Sequence, residues 1–343
     1  MRLDLLLMRR GLLNFLLYPF SLLYSLVMIV RRILYTRGIL PAYSPKIKTI
    51  SVGNVVGGGS GKTPFTIYLA ENLTKRGLKV AISHRGYKGE FESENVIIAD
   101  ENGVKDIAHR AGDEPLLLCQ KLPNIPVVVG KNRRRSIEIL QERYPDLDFI
   151  ILDDSFQHLK VKKDFNLVLF NSITKVGNGF VYPAGILREP LSSLKQADLI
   201  IYNGEEIPPR LFKAGKKIFK TRYHVKRLYR PDGSNIDCIE LKCKATALIS
   251  GIGQPKSFEQ TLHKCGISFE YHYIFPDHYG YDNPKLLNSI YEEMLKRFDC
   301  LLTTEKDYTK LRNSTILSKL VIVELGIQIE QENDFFEIIL AQN

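Results

Sequence analysis

The sequence predicts an α/β fold class with a parallel-sheet core, a second and smaller α/β domain, and an N-terminal membrane-associated helix. A glycine-rich loop at 57–61 follows a β-rich run and precedes a helical pattern. An apolar run at 149–152 ends in two aspartates, as expected for a strand buried on both faces of a parallel sheet. From residue 246 onward, β-rich and helical segments alternate, which predicts another parallel sheet.

Length and composition indicate a folded chain with more than one domain. The chain has 343 residues, of which 44% are apolar and 25% charged, and this is a globular composition. Its five cysteines include no C-x-x-C pair, so neither a disulfide framework nor a zinc site of that kind is expected. Free thiols fit a reducing compartment.

The net charge of +10 is concentrated near the N-terminus. Residues 1–50 hold eight arginines and lysines against Asp4 alone, which is +7 of the total. An evenly basic face for nucleic acid is therefore not expected, and the prediction is that the protein binds no nucleic acid. The basic segment favours an anionic membrane surface as a partner.

The apolar segment Gly11–Val30 is twenty residues without a charge, bracketed by arginine pairs at 9–10 and 31–32. A helix of this length spans about 30 Å, close to the thickness of a bilayer's hydrocarbon core. The basic flanks and the lack of a small-residue cleavage site argue against a signal peptide. A transmembrane helix, a helix lying in the headgroup plane and a buried core helix remain as alternatives, and the paired arginines favour the membrane.

Residues 57–63, GGGSGKT, predict a P-loop NTPase-like core, because they lie between a β-rich run at 48–56 and a helical pattern. Backbone N–H groups of such a loop surround phosphates at a helix N-terminus. Lys62 would neutralise phosphate oxygens, and the Thr63 hydroxyl would hold Mg²⁺. The predicted ATP-binding residues are Val56, Gly57, Gly58, Gly59, Ser60, Gly61, Lys62 and Thr63.

Val56 departs from the strict P-loop pattern, which has a glycine at this position. The alternative interpretation is a glycine-rich loop in front of an unrelated helix. Pro64 fits the P-loop interpretation, because its missing N–H falls in the first helical turn, where that group has no helical partner.

Asp153 and Asp154 follow the predicted strand at 149–152. Ligands bind beyond the carboxyl ends of strands in open α/β sheets, so these acids join Thr63 as predicted metal residues. Asp153 is the stronger candidate for meeting Mg²⁺, directly or through water. The alternative is that the two acids form only a turn or a helix cap.

A series of further motifs occurs in the order found in one enzyme family. They are GN at 53–54, GGSGKTP at 58–64, RGY at 85–87, GDEP at 112–115, DDSFQH at 153–158, PAGILREP at 183–190 and TEKD at 304–307. Over nearly its whole length the chain resembles the tetraacyldisaccharide 4'-kinase family, the lipid A 4'-kinases. Ser155 and His84 stand where that family usually has glycine and serine, and they are expected to affect the backbone beside the metal site and the substrate contacts, respectively.

The resemblance implies an enzyme at the cytoplasmic face of a Gram-negative inner membrane, with ATP and Mg²⁺ as cofactors. It would phosphorylate the 4'-hydroxyl of an acylated glucosamine disaccharide 1-phosphate. The residues by themselves indicate only an ATP site joined to a membrane segment.

Asp113 is the predicted base, since a sugar hydroxyl is a poor nucleophile and needs a base or an orienting group. Taken alone, Asp113 fits a helix N-cap slightly better, and the resemblance reverses that preference. The resemblance also implies that His278 pairs with Asp113, so that closure of the second domain completes the site. The alternative for His278 is a structural role.

Arginines provide the positive charge that phosphate needs. Arg85, Arg133 and Arg188 are candidates for contacts with the acceptor phosphate or the transferred phosphoryl group, because arginine binds phosphate with two donors. The alternative for the run at 131–135 is a solvated helix start. Lys62 and Arg188 join Asp113 and His278 as predicted catalytic residues. Further substrate residues implied by the resemblance are Tyr87, Glu114, Gln157, His158 and Glu189.

The predicted domain organisation has four parts. They are a membrane-associated segment at 1–40, a P-loop kinase core at 41–215, a hairpin-like connector at 216–245 and an α/β domain at 246–343. Two other functions remain as alternatives, a membrane-associated P-loop ATPase of the protein-positioning type and a soluble small-molecule kinase. The first type carries a signature lysine where this chain has Gly57, which argues against it.

Overall fold

The computed structural model describes residues 11–87, 89–242 and 244–341, and its contacts divide the chain into two compact units. Unit 1 comprises Met1–Arg222 and Ile329–Asn343, and unit 2 comprises Tyr223–Gln328. The arginine pair at 9–10 of the predicted basic flank lies outside the described residues.

The helices and strands of unit 1 alternate along the chain, as predicted. Its α-helices are α1 Leu12–Thr36, α2 Lys62–Lys75, α3 Asp113–Lys121, α4 Arg133–Arg143, α5 Pro209–Phe212 and, at the end of the chain, α10 Glu332–Leu340. Its strands are β1 Lys48–Gly53, β2 Val80–His84, β3 Val96–Asp100, β4 Gly103–Val104, β5 Val127–Val129, β6 Phe149–Asp153, β7 Phe165–Asn171, β8 Leu199–Asn203 and the first part of β9 Lys217–Tyr229.

The sheet of unit 1 has the strand order β9-β8-β7-β1-β6-β2-β5-β3-β4. All pairs from β9 to β5 are parallel, which confirms the predicted parallel core. The edge strands β3 and β4 are antiparallel, which the sequence did not predict. Because β1 pairs with β6, the loop after β1 lies at the same sheet edge as the aspartates that end β6.

Helix α1 is docked on unit 1 through its few polar side chains. The Asn14 Nδ2 donates to the Ala184 carbonyl at 2.8 Å, and the Ser21 hydroxyl donates to the Val181 carbonyl at 2.8 Å. Both side chains are buried. The helix also continues past its predicted end at Val30, so the arginine pair at 31–32 lies inside it rather than flanking it.

The opposite face of α1 is apolar and exposed. Leu12 is 79% exposed and Phe20 is 63% exposed, so α1 is not a buried core helix. The other strongly exposed apolar side chains of this face include Phe15, Leu16, Leu22, Leu23, Leu26 and Val27. Within the described part of the chain, α1 is the helix that is long and apolar enough to cross a membrane by length and composition.

The strands of unit 2 also pair in parallel, as predicted. Its helices are α6 Cys238–Lys242, α7 Pro255–Lys264, α8 Pro284–Arg297 and α9 Glu305–Leu311. Its strands are β10 Thr246–Ser250, β11 Tyr271–Ile274, β12 Cys300–Thr304 and most of β13 Leu320–Ile329, in the order β11-β10-β12-β13. All three pairings are parallel.

The TEKD motif at 304–307 has a structural role in unit 2. Strand β12 ends at Thr304, whose hydroxyl caps α9 by accepting from the Asp307 N–H at 3.2 Å. The fully buried Asp307 carboxylate accepts from the Gly251 N–H at 3.0 Å and from the Tyr281 hydroxyl at 3.1 Å. Burial raises the pKa of Asp307.

The two units differ from the predicted domain boundaries. Ile329–Asn343 belongs to unit 1, although the sequence placed it in the C-terminal domain. The predicted connector at 216–245 consists of β9, α6 and the turn between them, in which the Gly233 N–H donates to the Arg230 carbonyl at 2.9 Å. Strand and helix alternation along the chain does not reveal that its end returns to the first sheet.

An aromatic cluster accounts for this return. Phe335 on α10 is fully buried, and its ring lies 6.2 Å from Phe65 on α2 and 5.3 Å from Phe219 on β9. The Arg76 guanidinium lies 3.8 Å from the ring centre of Phe336. Helix α10 therefore supports the helix that follows the glycine loop.

We expect Phe335→Ala to lower the free energy of unfolding by about 3–5 kcal/mol, because the truncated ring leaves a cavity between three elements. Thermal unfolding of the full chain measures the effect. Phe212→Ala is the control, since Phe212 is 59% exposed. Equal unfolding temperatures for the two variants would contradict a role for α10 in the core of unit 1.

Candidate active site

The glycine loop after β1 has the geometry of a phosphate-binding loop. Gly61 has φ +81° and is the N-cap of α2, a left-handed conformation that favours glycine. The Asn171 Nδ2 donates to the Gly59 carbonyl at 2.9 Å and holds the loop from the side. The Ser60 hydroxyl is buried and has no hydrogen-bond partner among the described residues.

The structure explains why valine is tolerated at position 56. Val56 has an ordinary negative φ and forms an antiparallel bridge with Leu187. Its side chain is buried in the core cluster beside β7 and β8. The adjacent Gly57 N–H donates to the Ile186 carbonyl at 2.7 Å, so the start of the loop is tied to the segment 183–190.

The two aspartates after β6 meet the end of the glycine loop. The Thr63 Oγ1 lies 3.4 Å from Asp153 Oδ2, and the Lys62 Nζ lies 3.7 Å from Asp154 Oδ1. Arg188 Nη1 is 3.2 Å from Asp154 Oδ1. The structure thus brings together five predicted site residues from three separate motifs.

The environments of the two aspartates differ. Burial raises the pKa of Asp153, although His84 opposes the effect. Burial acts in the same sense on Asp154, but the cations of Lys62 and Arg188 outweigh it and hold its pKa below the ordinary value. Asp154 is therefore the anion that neutralises the two cations, while Asp153 lies behind it beside Thr63.

His84 lies between two of the predicted site carboxylates. An effect of His84 on substrate contacts remains a prediction. His84 is buried, and the Gly86 N–H donates to its Nδ1 at 2.9 Å. In neutral His84 the proton is therefore on Nε2, which lies 3.4 Å from Glu114 Oε2 and 3.7 Å from Asp153 Oδ2. His84 thus links two predicted site carboxylates.

Arg133 has a positioning role that differs from the prediction. It is only 2% exposed; its Nη1 donates to the Ser83 hydroxyl at 2.8 Å, and its Nη2 donates to the Asp153 carbonyl. Burial lowers its pKa to about 10. Its guanidinium holds the end of β6, and this geometry does not support direct phosphate binding by Arg133. The alternative of a solvated helix start is also wrong for this residue.

The segment 155–158 packs closely under the aspartates. Gly53 leaves room for Phe156, whose Cβ would lie 2.5 Å from a side-chain Cβ at position 53. The left-handed residue of this turn is Asp154, with φ +48°, rather than Ser155. A serine at 155 is therefore accommodated, and its hydroxyl donates to the Asp153 carbonyl at 3.2 Å.

Lys163 stabilises the same segment from below. Its Nζ donates to the carbonyls of Ser155 and His158, both at 3.1 Å. Burial lowers the pKa of Lys163 to about 7. No sequence pattern points to Lys163, because its role depends on the path that the backbone takes at 155–158.

Glu189 and Gln157 face α1. Glu189 is 2% exposed, and its carboxylate lies 2.5 Å from the Arg32 Nη2. The backbone carbonyl of Gln157 accepts from the Arg31 Nη1 at 3.3 Å. The side-chain Nε2 of Gln157 donates to the Asn54 carbonyl at 2.6 Å. The structure therefore gives Glu189 and Gln157 contacts that connect the apolar helix to the site, and it does not support direct substrate binding by Glu189.

Arg85 and Tyr87 lie together at an exposed edge of unit 1. The Arg85 Nε donates to Glu92 at 2.8 Å, and its guanidinium lies 5.6 Å from the Tyr87 ring centre. Tyr87 is 57% exposed. Both side chains can be reached by a large acceptor, and their substrate role remains a prediction.

Asp113 is the first residue of α3, and the N-cap position is Gly112. The alternative that Asp113 is the N-cap is therefore wrong. His278 belongs to unit 2 and has φ +63°. Its pairing with Asp113 remains a prediction.

The oxygen donors beside the glycine loop suit Mg²⁺, which needs few protein ligands, better than a metal that is bound by protein ligands alone. The described residues contain no cluster of three or more His, Cys, Asp or Glu side chains able to hold a metal. Thr63 and Asp153 offer two hard oxygen ligands beside the glycine loop. A Mg²⁺ ion typically takes one or two protein ligands and completes its shell with phosphate oxygens and water.

We predict that His158 titrates with a pKa of about 4, well below the ordinary value, because burial and the nearby charge of Arg133 disfavour the imidazolium. The unfolded chain binds this proton near pH 6.5. The folded state is therefore destabilised as the pH falls from about 6.5 towards 4, and is unaffected above that window. An NMR titration of the full chain, with His158→Gln to assign the signal, measures this pKa. A midpoint near 6.5 would contradict the predicted environment.

Comparison with known proteins identifies the family of this chain. The family model described as tetraacyldisaccharide-1-P 4'-kinase matches residues 13–343. A tetraacyldisaccharide 4'-kinase of Desulfatibacillum aliphaticivorans is 34% identical, over 92% of this chain and 89% of the relative. The enzyme of that name from Pseudoalteromonas translucida is 37% identical over 79% of this chain and 78% of the relative.

A solved structure also matches almost the whole chain. It is the crystal structure of LpxK from Aquifex aeolicus in complex with ATP, which is 32% identical with a TM-score of 0.79 and covers 96% of this chain and 99% of that one. With the glycine loop, the aspartates and the further motifs in place, the chain belongs to the tetraacyldisaccharide 4'-kinase family.

Proposed function

We propose that this protein transfers the γ-phosphoryl group of ATP to the 4'-hydroxyl of an acylated glucosamine disaccharide 1-phosphate, a step of lipid A biosynthesis. The observation that carries the proposal is the convergence of Lys62, Thr63, Asp153, Asp154 and Arg188 at the glycine loop. Family membership supplies the acceptor, which the geometry of the loop alone does not specify.

The residues present can perform an in-line phosphoryl transfer. Asp113 accepts the proton of the 4'-hydroxyl while the hydroxyl oxygen bonds to the γ-phosphorus. The bond between the γ-phosphorus and the bridging oxygen breaks, and ADP leaves with its electrons. Lys62 and Arg188 stabilise the charge on the phosphoryl oxygens. His278 orients Asp113 in this proposal. Mg²⁺, held by Thr63 and Asp153, would neutralise the phosphate charge.

A protein-positioning ATPase is the less supported function. In that class the glycine loop has a signature lysine, and this chain has Gly57 at that position. A soluble small-molecule kinase does not account for the exposed apolar face of α1.

We propose that α1 lies in the headgroup plane of the cytoplasmic leaflet of the inner membrane. Its contacts with unit 1 run from Asn14 to Arg32, about 27 Å along the helix axis. If α1 crossed the bilayer, the segment 181–189 would enter the hydrocarbon with its backbone polar groups and Glu189, at a high cost. Lying flat, the helix keeps its polar side chains on the protein and its apolar side chains in lipid.

We expect Lys62→Ala and Asp113→Ala each to lower turnover by at least about 10²-fold, because each removes a group that acts in the transition state. The assay follows ATP consumption with and without an acylated glucosamine disaccharide phosphate. Lys75→Ala, at the exposed end of α2, is the control and should retain wild-type turnover. Wild-type rates for Asp113→Ala would remove Asp113 from the mechanism, and equally fast wild-type turnover without lipid would favour the ATPase.

We also expect the triple variant Leu16→Ser, Phe20→Ser and Leu23→Ser to bind lipid vesicles at least about 10²-fold more weakly, since each apolar side chain contributes about 1.5–3 kcal/mol when buried. Vesicle sedimentation of the full chain measures the binding. The matched control changes the exposed apolar residues Ile239, Ile274 and Leu295 of unit 2 to serine, and it should sediment like wild type. Unchanged sedimentation of the α1 variant would contradict the proposed membrane face.

A further inference from the structure

A basic cavity lies beside the segment 181–189, on which α1 docks and which is called the docking segment below. Its volume is about 420 Å³, and Lys195, Arg210 and Lys213 supply three cations to its lining. None of the lining residues is acidic. The described residues show no ion pair for any of the three cations, and all three residues are exposed. The Arg210 Nη1 also donates to the Asn178 carbonyl at 3.5 Å.

The rest of the lining is small or apolar. Leu191 and Ala214 provide apolar surface, and Ser192 provides a hydroxyl. Gly179 has φ +85°, and a Cβ at this position would lie 2.0 Å from the Arg210 Nη1. The Arg210 guanidinium therefore lies directly against the backbone of Gly179, which keeps this arginine at the cavity. A cavity with several cations and an apolar wall suits a phosphate group attached to a lipid.

The cavity is continuous with the docking segment of α1. Phe180, next to Gly179, contacts α1 with its ring 4.8 Å from that of Tyr18. The Asn178 Nδ2 donates to the Ala184 carbonyl at 2.8 Å, and this is the same carbonyl that binds Asn14 of α1. If the outer face of α1 lies in lipid, the cavity is at headgroup level.

Exposed aromatic side chains near the cavity fit the same location. Phe212 lies between Arg210 and Ala214 in the chain and is 59% exposed. Tyr182 in the docking segment is also 59% exposed. Aromatic side chains next to basic residues are typical of protein surfaces at the membrane interface.

We propose that Lys195, Arg210 and Lys213 form a binding site for the phosphate group of an anionic membrane lipid. The inference rests on the proposed membrane location of α1 and does not depend on phosphoryl transfer. The phosphate can belong to an anionic phospholipid of the bilayer or to the acceptor lipid itself, because both present a negatively charged phosphate headgroup to the three cations. The site would hold the protein at a fixed depth and orientation while α1 supplies apolar anchoring.

The test uses a tryptophan reporter, because the chain has no tryptophan of its own. The full chain with Phe212→Trp, in neutral detergent micelles, is titrated with doxyl-labelled phosphatidylglycerol and with doxyl-labelled phosphatidylcholine. We expect the anionic lipid to quench the tryptophan at a concentration at least about tenfold lower, because the three cations attract an anionic headgroup more strongly than a zwitterionic one.

Neutralisation of the cavity should abolish this preference. Lys195→Gln, Arg210→Gln and Lys213→Gln together, in the Phe212→Trp background, should bring the two half-quenching concentrations within about twofold of each other. A matched control changes Lys46, Lys75 and Lys131 to glutamine, which removes the same charge from exposed positions elsewhere in unit 1, and it should keep the preference. Equal quenching by both lipids in the cation-intact protein, or an unchanged preference after neutralisation, would overturn the proposal.

A second measurement distinguishes the two sources of the phosphate. The KM for the acylated disaccharide phosphate is measured in neutral detergent without phospholipid. A rise of at least about tenfold in the neutralised variant assigns the site to the acceptor's own phosphate, and an unchanged KM assigns it to a bilayer phospholipid. If the wild-type protein phosphorylates nothing, the proposed function fails, while the quenching experiment still decides whether the site exists.

Discussion

The parallel pairing of β1 with β6 is the constraint on which the site depends. It brings the end of one strand, where the glycine loop begins, next to the end of the other, where Asp153 and Asp154 lie. Asp154 then neutralises Lys62 and Arg188, and Asp153 remains beside Thr63, supported from behind by Arg133 and His84. Each cation that a triphosphate would meet is thus already held in position by an anion of the sheet edge.

Helix α1 inverts the usual arrangement of a surface helix. Its polar side chains point towards the protein, and its apolar side chains point outward. Arg32 pairs with Glu189, which is adjacent in the chain to Arg188, so the helix that would contact lipid and an arginine of the site share one short segment. With α1 at the proposed membrane surface, this arrangement would connect the orientation of the protein on the membrane with the geometry of phosphoryl transfer.

The sequence predicted the parts of the site that are local. The glycine loop and the two aspartates follow strands directly, so motif and strand pattern located them. Arg133, Glu189 and His84 could not be interpreted in this way, because their roles depend on burial and on partners from distant segments. The sequence also could not reveal that α10 packs under α2, since that contact is made by aromatic side chains that would fit any core. The pairing of Asp113 with His278 remains a prediction, because the two residues belong to different units.

The return of Ile329–Asn343 to unit 1 makes unit 2 an insertion within unit 1. During synthesis, the residues that complete the core of unit 1 follow unit 2 in the chain, so they leave the ribosome after the whole insertion. The nascent chain therefore carries an unfinished nucleotide-binding unit at a stage when the inserted unit already has all of its own residues. Loss of residues 329–343 would accordingly damage the ATP-binding unit 1 more than unit 2, which directly precedes them in the chain.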